Sequence, residues 1–353
     1  MTGRSDWIEQ VYCAQIYPYV KDSMAVVTSL LPISFAELIL YGLILYAVWV
    51  VVGGLFRWIF RNIRFSGYIT RLLSLTLFAA VLLNLFYVTW GFNYFRQPLA
   101  ARMHLEITEH SEDQLANLVT DLSQQAAAVR GLVPEDDSGV FDLGDTLQST
   151  LDALPGAYAS LSEKQPVFAG RVTRAKQVLW SEGLSWAGIS GIYVGFTAEP
   201  NINVHQPSLL VPQAAAHEMA HQLGIASENE AEFSAYLACM QSDSPAVRYS
   251  GLMQAFLVSG NALSKVAPDR YAAIRAACSD AMQRDLASYN AYWQQHEGTA
   301  EQTADAINDA YLKFNAQQSG IKSYGESVDL LLAWYDVNNA ASADLLSSAV
   351  PNN

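Results

Sequence analysis

The sequence predicts a mainly α-helical fold in which two transmembrane helices precede a largely helical domain with a small β element. Three observations predict it: two long apolar runs near the N-terminus, periodic apolar positions over most of the remaining chain, and one Gly-rich, β-branched segment before a helix with two histidines. The predicted organisation is an N-terminal segment at 1–30, a two-helix transmembrane hairpin at 31–96 and a largely helical domain at 97–353.

The two apolar runs are Ile33–Phe56, in which Glu37 is the only charged residue, and Leu72–Trp90, which has no charge. At about 1.5 Å per residue in a helix, each can cross the hydrocarbon core of a bilayer. The stretch between them contains four arginines and no acid, which places it in the cytoplasm; these are Arg57, Arg61, Arg64 and Arg71. We therefore expect a two-pass protein of the cytoplasmic membrane, with the lipid bilayer as a partner and with the N-terminus and catalytic domain outside. A buried hydrophobic hairpin inside a soluble protein is the alternative.

Local signals predict the elements around the apolar runs. Trp7–Leu31 mixes apolar and polar residues too closely to span a membrane, and we expect it to be partly helical, at the membrane interface or against the catalytic domain. Ser111–Arg130 is a predicted helix that begins with a Ser-x-x-Gln capping signal. A further helix is expected within 145–162 and several within 247–339. Gly188–Val204 predicts one or two short strands with a turn at Glu199-Pro200.

Charge and cysteine content limit the possible functions. The formal net charge is −14, and residues after position 96 include 13 Lys and Arg against 30 Asp and Glu. Nucleic-acid binding is excluded because phosphates need a basic surface. The three cysteines show no zinc-finger or redox spacing and are predicted to be buried apolar residues. A Cys239–Cys278 disulfide stays open as an alternative for a domain outside the cytoplasm.

The pentapeptide His217-Glu-Met-Ala-His221 is the main chemical signal of the sequence. Residues four apart lie on one face of a helix, so the two imidazoles can bind one metal ion together. Glu218 can then take a proton from a water molecule that the metal activates. This residue set and spacing are typical of zinc hydrolases. We therefore predict Zn²⁺ as cofactor, His217 and His221 as ligands and Glu218 as the general base.

A second helix after the pentapeptide provides candidates for the third ligand. Gly224 is predicted to end the first helix, and Ser227 to be the N-cap of the next. Three carboxylates follow, at Glu228, Glu230 and Glu232. Glu230 lies three residues after Ser227, so a capping box is its structural interpretation. Glu228 and Glu232 lie four apart on one face, where a ligand and a supporting carboxylate can stand together.

The segment Glu-x-x-Ala-Glu at 228–232, with Ala235 three residues on, resembles the Glu-x-x-Ala-Asp/Asn signature of gluzincins. The resemblance implies that Glu228 is the third zinc ligand and that Glu232 supports a histidine; Glu230 stays an alternative ligand. Glu232 departs from the usual Asp or Asn. The metzincin pattern matches through Gly224 but has Ser227 at its third histidine position. In zincins, a strand before the metal helix borders the cleft, where an extended peptide can pair with it.

The chain as a whole resembles a bacterial family of uncharacterised membrane proteins, domain of unknown function 3810, which has a zincin-like motif. The resemblance covers nearly the full length and rests on Leu31–Glu37, Trp90–Tyr94, Phe196–Glu199, Ala216–Gln222, Glu228–Phe233 and Ser323–Gly325. It implies a membrane-bound metallopeptidase.

Three further residues are candidates for contacting substrate or stabilising an oxyanion. Tyr236 lies eight residues after Glu228 on the same helical face, Tyr324 is part of a distant Ser-Tyr-Gly segment, and His205 precedes the metal helix. Ordinary packing is the competing interpretation of both tyrosines, and a structural or solvated role that of His205.

Together these features predict a membrane-anchored, gluzincin-like zinc metallopeptidase that hydrolyses peptide or other amide bonds, with a peptide or protein as substrate. One alternative is a non-catalytic membrane binding or scaffold protein that retains a zincin-like fold. A second is a membrane interaction protein without a metal. Glu218 and a coordination position left for water argue against a purely structural zinc. The sequence does not determine the oligomeric state.

Overall fold

The computed structural model describes residues 6–60, 65–315, 317 and 326–348. Helices account for 72% of the structure, which confirms the mainly helical prediction. The N-terminal part comprises a π-helical segment Ile8–Ile16, helices α1 (Tyr17–Thr28), α2 (Phe35–Phe60), α3 (Phe65–Thr89) and α4 (Leu99–Arg102), and a 3₁₀ turn Gly91–Phe95 between the last two.

The remaining chain forms ten further α-helices within the described ranges, together with two 3₁₀ turns, Gly144–Thr146 and Pro166–Phe168. The α-helices are α5 (Glu112–Arg130), α6 (Leu147–Lys164), α7 (Ser181–Trp186), α8 (Val211–Gln222), α9 (Glu228–Met240), α10 (Pro245–Val266), α11 (Pro268–Ala277), α12 (Asp280–His296), α13 (Thr299–Phe314) and α14 (Ser327–Ser348). The capping box at Ser111 and Gln114 is present as predicted. The main core lies among α5, α6, α8, α9, α10 and α14.

The prediction of two transmembrane helices is wrong. Helices α2 and α3 follow the two apolar runs, but across the described residues no helix combines the length and the hydropathy that a membrane crossing requires. The prediction counted each apolar run from end to end, whereas in the structure the N-terminal end of the first run and the C-terminal end of the second pack inside the protein. Ser34 and Glu37 are buried at the start of α2, and Trp90 is buried just after α3.

The predicted two-pass location in the cytoplasmic membrane is wrong for the same reason. The predicted cytoplasmic connection is also much shorter than the sequence indicated, because Arg57 belongs to α2 and Arg71 to α3. Arg61 and Arg64 lie outside the described residues. Large apolar side chains along both helices, such as Trp49 and Leu77, are exposed, and apolar surfaces of this kind are normally covered by a partner.

Two glutamates join the start of α2 to the domain that follows. Glu199 accepts hydrogen bonds from the Phe35 and Ala36 amides at 3.0 and 2.8 Å, and its charge is paired with Lys176 at 2.5 Å. Glu37 in turn accepts from the amides of Leu179 and Trp180, at 2.8 and 2.9 Å. Glu199 thus accepts from amides at the N-terminus of α2, and Glu37 accepts from amides just before α7. Amides at the N-terminus of a helix have no partner within the helix.

A three-stranded sheet lies beside helix α8, which contains the HExxH residues. Its order is β1 (Lys176–Gln177), β3 (Glu199–Ile202), β2 (Gly191–Val194); β3 is parallel to β1 and antiparallel to β2. The turn predicted at Glu199-Pro200 is wrong, because these residues begin β3 and the reversal lies at 195–198. Ala198 adopts a positive φ of 54° there. Pro200 is tolerated because β1 pairs only with the two residues that follow it.

All three cysteines, each within the described residues, are buried and free. Cys239 belongs to the main core, and Cys278 lies at its edge. Cys13 is part of a second apolar cluster in which the N-terminal segment packs against Trp90 and Ala226. The interpretation as buried apolar residues is confirmed, and the Cys239–Cys278 disulfide is absent.

Candidate metal centre

Helix α8 presents the HExxH residues inside the protein, since all twelve of its residues are buried. Pro212 lies in its first turn, and Gly224, which has φ +81°, follows the C-cap residue Leu223. The Gly224 amide donates to the His221 carbonyl at 2.8 Å and the Ile225 amide to the Ala220 carbonyl at 3.2 Å. This is the Schellman arrangement, in which glycine provides the left-handed residue. The predicted end of the helix is confirmed.

Residues from the N-terminal part satisfy the last carbonyls of α8. The Tyr17 hydroxyl donates to the Gln222 carbonyl at 3.1 Å, and Arg96 donates to the Leu223 and Gly224 carbonyls at 3.2 Å each. A cation at this end also interacts favourably with the helix dipole. Arg96 is held by an ion pair with Glu9 at 2.7 Å. The N-terminal segment is therefore packed against the metal helix, one of the two placements predicted for it.

The structure brings His217, His221 and Glu228 together. The Glu228 Oε2 atom lies 3.0 Å from His217 Nε2 and 3.4 Å from His221 Nε2. One potential ligand atom from each residue lies within 4.8 Å of the others. The loop at 223–227 reverses the chain after α8, so that the first turn of α9 faces both histidines.

These distances fit a small tetrahedral cation. Zinc bonds to imidazole nitrogen and carboxylate oxygen of about 2.0–2.2 Å imply edges of about 3.3 Å between neighbouring ligand atoms. The two measured N–O separations agree with such edges. Three protein ligands would leave one position for water, as in catalytic zinc sites.

The outer nitrogens of both histidines have partners. His221 Nδ1 lies 2.7 Å from the Ile225 carbonyl oxygen, which can only accept, so this nitrogen carries the proton. His217 Nδ1 lies 3.3 Å from Glu232 Oε2. These contacts direct both Nε2 atoms inward, and such second contacts are usual for metal-binding histidines. In a neutral His221, the Nε2 lone pair would face the Glu228 carboxylate, an arrangement that a cation between them stabilises.

Opposing effects determine the pKa values of His217 and Glu228 in this buried cluster. Burial alone would lower the pKa of His217, but hydrogen bonds to Glu228 and Glu232 hold it well above its usual value. Burial alone would raise the pKa of Glu228, yet the charge of His221 and the hydrogen bonds from both histidines lower it strongly. Glu228 is therefore a carboxylate at neutral pH, the form that binds cations.

Glu218 lies beside the cluster and against the sheet. Burial raises its pKa, although the nearby histidines and the backbone amide of Tyr193 oppose the shift. A Cβ atom on Gly191 would lie 2.7 Å from Glu218 Cγ, so strand β2 runs close to this carboxylate. Strand β2, at an edge of the sheet, is therefore the strand that lies beside Glu218. Strand β3 is nearest to α8 in sequence, but it is the middle strand of the sheet.

Glu230 does not take part in the cluster, and its predicted capping box is wrong. Its Oε1 atom accepts from the Leu99 amide at 2.7 Å, while the Ser227 hydroxyl donates to Asn229 and Gln317. Helix α4 brings Leu99 to this carboxylate from more than a hundred residues away. That tertiary contact replaces the local one that the sequence pattern indicated.

The three other candidates lie elsewhere or outside the description. Tyr236 packs against the main core, and burial raises its pKa to about 12. His205 Nδ1 lies 3.0 Å from the Tyr292 hydroxyl, and its ring faces His296 at 6.1 Å. Tyr324 lies outside the described residues.

Aromatic residues missed by the sequence reasoning border the centre. The Trp90 ring lies 5.9 Å from the His221 ring in an edge-on arrangement and 4.8 Å from Tyr193. Tyr94 and Tyr311 both interact electrostatically with Glu228. The available signal was Trp90-Gly-Phe-Asn-Tyr94, which supported the family resemblance but was not assigned to the site.

Fold and site together define a mainly helical protein with a buried cluster of two histidines and one glutamate, and with the carboxyl group of Glu218 next to it. The chain belongs to the family described as protein of unknown function (DUF3810), whose model matches residues 12–332. The predicted membership of domain of unknown function 3810 is thereby confirmed, whereas its zincin-like relationship stays a prediction. No curated protein and no solved structure matches the chain.

Proposed function

We propose that this protein is a zinc-dependent metallopeptidase of the zincin-like, gluzincin type, which hydrolyses peptide or other amide bonds. The observation that carries the proposal is the convergence of His217, His221 and Glu228 beside the buried carboxyl group of Glu218. A structural zinc site normally has four protein ligands. Three ligands with an adjacent carboxyl group favour hydrolysis.

Glu218 is the proposed general base. When bound, Zn²⁺ would supply a Lewis acid that acidifies water and polarises a carbonyl group. Glu218 takes one proton from the attacking water as its oxygen bonds to the carbonyl carbon. It then delivers this proton to the amine nitrogen as the C–N bond breaks, giving a carboxylic acid and an amine.

An extended peptide is the proposed substrate class. Strand β2 is an edge strand of the described sheet and runs beside Glu218. A peptide that adds to this edge would form backbone hydrogen bonds and bring an amide bond to the centre. Gly191 favours this arrangement because it adds no side chain between the strand and Glu218.

Two variants test the proposal. His217→Ala should reduce bound zinc from about one equivalent to less than about a tenth, measured by elemental analysis of the purified protein. Glu218→Gln keeps the side-chain size and should retain zinc while losing hydrolysis of a fluorogenic peptide library. Zinc-loaded Glu218→Gln with wild-type activity would refute the mechanism. Zinc in a wild-type protein that cleaves none of these peptides would favour the non-catalytic scaffold.

A further inference from the structure

Two tyrosines from distant parts of the chain meet beside the metal centre. Tyr94 follows α3 and Tyr311 lies in α13, 217 residues later. The Tyr94 hydroxyl donates a hydrogen bond to the Tyr311 hydroxyl at 3.2 Å, and their rings pack edge to face at 6.1 Å. Because Tyr311 accepts this bond, its own proton is available to another acceptor.

Trp90 fixes the position of this pair. Its side chain is only 5% exposed, and its Cβ atom lies so close to Gly195 that a Cβ on that glycine would be 2.5 Å away. Its ring packs edge-on against the Tyr94 ring at 6.2 Å. The indole therefore fixes the Tyr94 ring relative to the sheet, and Tyr94 in turn is hydrogen-bonded to Tyr311.

The same indole connects the pair to the metal centre. Trp90 contacts His221 edge-on at 5.9 Å. Glu228 acts electrostatically on both tyrosines. Tyr311 is 39% exposed, so a molecule from solvent can reach its side chain, whereas Tyr94 is half-buried behind it.

We propose that Tyr311 is the hydrogen-bond donor to the substrate carbonyl oxygen, and that Tyr94 is a positioning residue that orients the Tyr311 hydroxyl. The inference rests on the proposed hydrolytic function. Attack by water moves an electron pair from the C=O bond onto this oxygen, and the Tyr311 O–H stabilises the negative charge without losing its proton. The hydroxyl must stay neutral, and burial together with the neighbouring charges raises the pKa values of both tyrosines.

The test measures binding of acetohydroxamate to the full-length protein loaded with Co²⁺, followed by visible absorption. The probe carries a carbonyl oxygen that binds metal and accepts a hydrogen bond. Tyr311→Phe should raise its Kd by about tenfold, the value for one hydrogen bond of about 1.4 kcal/mol. Tyr94→Phe should raise it by about threefold, because the donor remains but is less well oriented.

Matched variants separate this role from general effects of losing a tyrosine hydroxyl. Tyr271→Phe removes a hydroxyl from a residue that packs on the main core and should leave the Kd unchanged. Tyr236→Phe tests the residue that the sequence indicated; a loss there equal to that of Tyr311→Phe would overturn the proposal.

Outcomes for the two proposals are distinguishable. Wild-type protein that binds no Co²⁺ contradicts the metal centre and therefore both proposals. Cobalt-loaded Tyr311→Phe with wild-type affinity for acetohydroxamate contradicts the tyrosine assignment alone. If Tyr311→Phe fails to fold, the threefold change in Tyr94→Phe decides, and an unchanged Kd there contradicts the assignment.

Discussion

Replacing Gly191 with alanine should separate hydrolysis from metal binding. The new Cβ atom would lie 2.7 Å from Glu218 Cγ and 2.8 Å from its Oε1, whereas ordinary contacts begin at 3.4 Å. On the other side it would lie 3.0 Å from the Asn201 carbonyl oxygen in the middle strand. Since backbone in a paired strand yields less than a side chain, Glu218 must move by about 0.7 Å, the difference between 2.7 and 3.4 Å.

A displacement of this size predicts a large kinetic effect. Misplacing a catalytic group by about 1 Å can reduce a rate by about a hundredfold, so we expect Gly191→Ala to reduce kcat by about 10- to 100-fold. Zinc content should stay at the wild-type level, because Glu218 is not one of the three converging ligands. The assay pairs elemental analysis with hydrolysis of a fluorogenic peptide.

Gly156→Ala is the matched control. Gly156 lies inside α6, and among the described atoms none would come within 4 Å of a new Cβ. This variant should keep both zinc and activity. A Gly191→Ala protein that contains full zinc and hydrolyses the peptide at the rate of the control would contradict the displacement of Glu218.

Two predictions concern stability. Asp285 is buried and accepts hydrogen bonds from Arg130, Tyr249 and the Phe141 amide; Asp285→Asn should therefore lower the free energy of unfolding by about 3–5 kcal/mol in urea denaturation, and a change below about 1 kcal/mol would contradict the buried ion pair. Burial alone would raise the pKa of Glu9, but the hydrogen bond and charge of Arg96 lower it below 4.5. A lowered folded-state pKa adds stability above the unfolded value, which is lost as pH falls through the folded value. Glu9→Gln should therefore show a smaller loss of stability between about pH 5 and 3 than the wild type, and parallel curves would exclude this contribution.

Local signals predicted the elements whose causes are local. The capping box at Ser111 and the end of α8 at Gly224 depend on residues within one turn of each other, and both are present. The spacing of His217 and His221 likewise fixes their common face. Glu228 lies near both histidines because the short loop at 223–227 reverses the chain. The sequence indicated this reversal through Gly224 and Ser227.

Long-range contacts explain what the sequence reasoning missed. Glu230 has a favourable local partner in Ser227, yet the Leu99 amide occupies its carboxylate. The meeting of Tyr94 with Tyr311 has no periodicity to detect, since the chain between them folds into most of the domain. The apolar runs gave a strong signal for helices, but not for how their ends pack against other residues.

The exchange of carboxylates between Glu37 and Glu199 bears on how the protein unfolds. Separating the start of α2 from the sheet and the start of α7 would leave four backbone amides without their carboxylate acceptors. Neither side can open alone without this cost. The first turn of α2, the start of α7 and strand β3 therefore belong to one cooperative unit, and their amides should share a common protection in hydrogen exchange. Strand β3 pairs with β2 beside Glu218. It should therefore open only together with the first turn of α2 and the start of α7.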